Sequence, residues 1–112
     1  MTSDRQSAPA LEGVIAQAAL VEYQPGAVVS RTLVKTPTGT VTAFAFAAGE
    51  ELSEHTAAFD ALALVCEGDC QISIASTAHK VSAGQLLRLP AGLPHAVKAV
   101  TPFKMILVMI RA

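Results

Sequence analysis

Three histidines, two cysteines and nine carboxylates are the groups in this 112-residue chain best suited to hold a metal, move a proton or attack an electrophile. His55 and His95 draw most notice. Imidazole titrates near neutral pH, hydrogen-bonds through either ring nitrogen and is the commonest metal ligand among side chains. Each stands in a spaced frame: Gly49 precedes His55 by six positions, and Gly84, Pro90 and Gly92 lead up to His95. A single histidine in a β core is more often hydrogen-bonded packing than a ligand, so the spacing has to carry the functional reading. His79 follows Ser76-Thr77-Ala78, a turn-like stretch, and reads as a solvated hairpin residue. Cys66 and Cys70 read as small hydrophobic groups in core and turn, and Arg88 and Lys104 as rim charges. Met105 and Met109 share one face of the last strand, where they fill gaps in the core.

Positioning these groups requires strands. After the turn at Gln24-Pro25-Gly26, residues Ala27 to Val34 alternate enough for a strand, and Thr36-Pro37-Thr38-Gly39 turns the chain. Thr40 to Ala47 carries Thr42, Phe44 and Phe46 on one side, and Glu51 to Ala57 is again extended. Ala61 to Glu67 and Asp69 to Ala75 flank Glu67-Gly68, the strongest hairpin signal in the chain. Gln85 to Leu89 is a further strand, another opens at Pro94-His95, and Phe103 to Ile110 is the last. Eight or more short strands with regular turns predict an all-β sandwich or barrel. Residues 10–23 suit a short helix or an early strand equally, and Met1 to Pro9 reads as a frayed tail.

Because the last strand is apolar on both faces beyond Lys104, something must cover its outer side. The second sheet's edge, the N-terminal segment or another subunit would serve, and a homodimer is the expectation, since closed symmetric pairing is the commonest assembly.

Composition narrows the classes. A chain that is 52% hydrophobic and 15% charged makes a packed globule, and its length suits one domain. Net charge is −1 with no basic run, so nucleic acid is excluded as an expected partner. The longest charge-free apolar stretch, Met105 to Ile110, is far short of the roughly twenty residues of a spanning helix. Two cysteines give no disulfide framework, and the apolar stretch Val14 to Val21, broken by Gln17, reads poorly as a signal peptide; a cytoplasmic address is expected.

Both histidine frames resemble the paired motifs of the cupin superfamily, G-x5-H-x-H-x3/4-E-x6-G and G-x5-P-x-G-x2-H-x3-N. In the first, Gly49, His55 and Gly68 match, while Ala57 holds the second histidine position and Ala61 the glutamate position. In the second, Gly84, Pro90, Gly92 and His95 match, and Ala99 replaces the asparagine. The likeness runs from Gly26 to Arg111 and is closest to small single-domain bacterial members. It implies a double-stranded β-helix, a jelly-roll-like barrel over residues 26–112 with the site inside it, preceded by a tail and short lead-in segment at residues 1–25. The family's ligand set implied by the motifs is three histidines and one glutamate around a divalent transition metal, with open positions for substrate. On a strand, residues two apart share a face, so an H-x-H pair can grip a metal from one side; position 57 here cannot. His55 and His95 remain of that set, and a catalytic site usually offers three protein ligands. By strand alternation Asp60 and Glu54 point away, although a bulge could bring Asp60 back, and Cys66 lies an odd number of residues from Ala61.

Three functions follow. The first is a barrel that binds a small organic ligand, with a carboxylate or phenol suiting a pocket lined by His55, His95, Ala57, Ala61, Phe44 and Met105. The second is a metal-dependent enzyme of dioxygenase or isomerase type in which His55 and His95 are metal ligands. The third is a structural or sensor role in a larger assembly. Whether the chain is an enzyme is left open by its residues.

Overall fold

In the computed structural model, which describes residues 10–111, nine strands form two antiparallel sheets. They are β1 (Val28–Thr36), β2 (Gly39–Phe46), β3 (Glu51–His55), β4 (Asp60–Glu67), β5 (Asp69–Ile74), β6 (Thr77–Ser82), β7 (Leu86–Leu89), β8 (His95–Ala99) and β9 (Phe103–Ile110). One sheet has the order β1-β2-β9-β4-β7, the other β3-β8-β5-β6. The all-β expectation is met as a sandwich closed into a barrel.

Alternation places the core between the sheets. From the five-stranded sheet come Phe46, Ala61, Ala63, Val65, Leu89, Phe103 and Met105, and from the other Cys70, Ile72, Val81, Val97 and Ala99. Phe46 and Phe103 face one another across β2 and β9, their rings stacked at 4.5 Å, and both are fully buried. That end of the barrel is shut. Toward the other end the inner residues Phe44, Leu107, Met109 and Ile74 are only partly buried, whereas Ala61 and Leu89 keep the β4–β7 side closed.

The hairpin expected at Glu67-Gly68 is absent. β4 pairs with β7 and β9, and β5 with β6 and β8, so Gly68 carries the chain across from one sheet to the other. Its φ is +76°, and a Cβ there would lie 2.0 Å from the Pro102 carbonyl oxygen. Glycine is needed for a corner, which a Glu-Gly dipeptide does not distinguish from a hairpin turn. A hairpin instead joins β5 to β6 through Ala75 (φ 48°) and Ser76 (φ 70°), two residues with little preference for that backbone. The stretch at Thr77-Ala78-His79 is therefore strand β6, not turn.

The ambiguous lead-in holds a single 3-10 turn, Gln17–Ala19, followed by Leu20 and Val21, which are buried on the outer face of the five-stranded sheet against Ala43 and Ala45. Lys104 fastens this segment. It is 7% exposed, and its Nζ donates to the Ala18 carbonyl at 2.6 Å and lies 4.7 Å from the centre of the Tyr23 ring. Tyr23 in turn donates its hydroxyl to Glu67 Oε2 at 2.5 Å, and burial together with that carboxylate pushes its pKa far up. Lys104 is thus no rim charge. The N-terminal segment covers the part of β9 near Lys104 and Ile106; Ile110 at the far end is 56% exposed. The expected tail at Met1 to Pro9 lies outside the described residues.

Candidate functional site

His55 ends β3 and His95 begins β8, and the two are register partners. A bulge makes this possible. Between Leu52, paired with Val97, and His55, paired with His95, β3 spends three steps where β8 spends two. Leu52 packs on the core, so simple alternation would turn His55 outward; the extra residue returns it to the inner face. His55 Nδ1 donates to the Ser53 carbonyl within the bulge at 3.1 Å, which leaves its Nε2 with the lone pair when the ring is neutral.

The two rings meet edge to face, with centroids 4.3 Å apart and planes at 67°. His55 is exposed and His95 is 8% exposed. Burial, and then the neighbouring His55, hold the His95 pKa below the ordinary imidazole value, with the Leu93 backbone pulling weakly the other way. Even so, among the described residues no group meets the buried His95 Nδ1 in hydrogen-bond geometry. A buried polar atom left unpaired costs about 1–3 kcal/mol, so this nitrogen is an open position for a partner.

Of the other expected lining residues, Ala61 is buried on the inner face of β4, and Ala57, in the loop after β3, accepts a hydrogen bond from the Gly92 amide through its carbonyl at 2.9 Å. That bond ties together the loops of the two motifs. Phe44 is half-buried on the inner wall. Met105, 1% exposed, sits in the closed half of the core, so it is floor rather than wall. Leu107 and Met109, two and four residues further along the same face, line the half-open end instead; the alternation that singled out Phe44 and Met105 also leads to them. His79 was misread: it is half-buried on β6, on the face it shares with core residue Val81, and pairs with Ile72. It stands two strands from β8 rather than beside the pair.

The donor set does not fit a resident metal. Among the described residues no three His, Cys, Asp or Glu side chains gather in one place. Asp60, the nearest substitute in sequence for the absent glutamate, is engaged elsewhere: its Oδ1 accepts from the Ala91 amide at 2.9 Å and pairs with Arg88 at 3.4 Å, both on the surface, and these donors keep its pKa low. Two imidazoles alone bind a cation loosely. Neither cysteine supplies a ready thiolate, since burial raises the Cys66 pKa and pushes that of Cys70 up to about 11.

No family model matches the sequence, and no curated protein matches it either. Solved structures do. A conserved protein of unknown function from Streptococcus pyogenes is 30% identical with a TM-score of 0.87, over 95% of this chain and 92% of that one. A cupin superfamily protein from Desulfitobacterium hafniense is 25% identical with a TM-score of 0.86, over 95% and 96%. A cupin 2 conserved barrel domain protein from Leptotrichia buccalis is 38% identical with a TM-score of 0.82, and the match covers 84% of this chain but 46% of that longer one. With the two glycine frames, the barrel and the inward-facing His55–His95 pair, these similarities establish that the chain belongs to the cupin superfamily as a small bacterial-type member.

Proposed function

We propose that the barrel binds a small organic molecule at its half-open end, with His55 and His95 as the polar groups that orient it. The observation that carries this reading is the facing imidazole pair, one ring presenting Nε2 and the other keeping an unpaired buried nitrogen. Apolar walls with a few convergent polar groups are the usual form of such a site. Alanine at positions 57 and 61 leaves room where longer side chains would intrude. The alternative, a metal-dependent dioxygenase or isomerase with His55 and His95 as ligands, has two donors in its support and, among the described residues, no third beside them. The cytoplasmic address belongs to the same proposal and is supported by the two free cysteines.

A homodimer is part of the proposal as well. Its support is the outer face of the five-stranded sheet, where Val34, Leu86 and Ile110 are 48%, 59% and 56% exposed. A second copy of that face would cover them.

Binding of benzoate, phenol and hexanoate, followed by calorimetry and by thermal shift, tests the reading. Wild type is expected to bind at least one of them, and the His55→Ala/His95→Ala variant none. Metal content near one ion per chain in protein purified without chelator, with no organic ligand bound, would replace it with the metal-enzyme alternative.

A further inference from the structure

Where the β1–β2 turn meets the ends of β4 and β9 lies a small open groove of about 60 Å³ whose lining includes Thr36, Pro37, Thr40, Phe59, Met109 and Arg111. Strand register explains why these meet. Met109 pairs with Thr40 on one side and Ala61 on the other, and Ile110 pairs with Asp60. One step further, Arg111 and Phe59 stand opposite each other on the inner face, continuing the rows of Met109 and Ala61. The Arg111 amide donates to the Thr38 carbonyl at 2.8 Å, which holds its backbone in line with β9.

The guanidinium carbon lies 4.8 Å from the centre of the Phe59 ring, a stacking geometry that leaves the N–H edge of the fork available. Among the described residues the ion pair is Arg88 with Asp60, and Arg111 has no carboxylate. A guanidinium at the rim of an apolar groove, without an ion pair to any described carboxylate, suits an anion. A guanidinium beside Phe59, Met109 and Pro37 matches an anion with a hydrophobic body.

Phe59 is also four residues from His55, so the two Cα atoms are at most about 14 Å apart along the connecting loop. We infer that Arg111, stacked on Phe59, is the carboxylate-binding residue of the barrel, and that its ligand class is small carboxylic acids with an apolar body. The acid group sits on the guanidinium at the rim, and the body runs over Met109 toward Phe44 and the histidines. This inference rests on the ligand-binding reading above.

The test compares benzoate and hexanoate with benzamide and hexanamide by titration calorimetry on wild type, Arg111→Gln, Arg111→Lys and His55→Ala/His95→Ala. Wild type is expected to prefer the acids, Arg111→Gln to weaken the acids by about tenfold or more while leaving the amides within about twofold, and Arg111→Lys to retain part of the preference, as loss of a bidentate charged contact implies. Acid binding that the histidine double variant abolishes and Arg111→Gln leaves unchanged would overturn the role of Arg111 and spare the pocket. Failure of wild type to bind any acid or amide would overturn both.

Discussion

His55 and His95 lie ring edge to ring face at 4.3 Å, one exposed and the other 8% exposed, so burial bears on the protonation of His95. Two like cations cannot share this spacing cheaply, and burial already disfavours charge on His95. Near neutral pH the buried ring is therefore neutral. It can accept a hydrogen bond through one nitrogen while donating through the other.

Stability should follow from that pair. With its folded-state pKa held below the ordinary value of 6.5, His95 contributes its full stability above that pH, because neither state is then protonated. As pH falls below 6.5, the unfolded chain takes up the proton first and stability is lost until the folded protein protonates too. His95→Leu should remove this component of the acid-side decline and, by eliminating an unpaired buried nitrogen, raise stability at pH 7.5 by about 1 kcal/mol. Urea denaturation of both proteins from pH 5 to 8 measures it; a variant less stable than wild type at every pH would show that Nδ1 has a partner.

Gly68→Ala should be severe. The new Cβ would meet the Pro102 carbonyl at 2.0 Å and Cα of Phe103 at 2.9 Å, both backbone atoms, on top of a φ of +76°. Gly84→Ala, at φ +87° with no atom within 4 Å, shares the conformational penalty without the clash. We expect a loss of about 1–2 kcal/mol at Gly84 and at least twice that at Gly68, read from chemical denaturation midpoints. Equal losses would mean that Pro102 yields freely.

The β5–β6 turn offers the opposite change. Ala75 and Ser76 both have positive φ, which costs such residues about 1–2 kcal/mol each. Replacing the pair with Asn-Gly, the preferred sequence for this turn, should add about 1–2 kcal/mol and raise the melting temperature by several degrees. An unchanged melting temperature would count against the turn geometry.

Much of the fold was legible because alternation reports which face is buried: Thr42, Phe44 and Phe46 share a side, and β9 runs from Phe103 to Ile110 as the apolar run indicated. Gly68 and Ala75-Ser76 were not legible, since one glycine serves hairpins and corners alike, and the β5–β6 hairpin lacks the Gly, Asn or Asp that its positive-φ turn favours. Within the site, His55 and His95 were identified by spacing, but the bulge that joins them was hidden, because an extra residue at Ser53–Glu54 has no signature of its own. Lys104 looked like a surface charge because its partners, the Ala18 carbonyl and the Tyr23 ring, are more than eighty residues away in sequence.

The order β1-β2-β9-β4-β7 sets the last strand between β2 and β4. During synthesis both of those strands must therefore wait with open edges until β9 leaves the ribosome, and the five-stranded sheet cannot close before then. Such late, long-distance pairing slows folding and leaves strand edges free to associate with other chains in the interval. Production at low temperature, where translation and aggregation both slow, is the condition under which this topology should give the highest soluble yield.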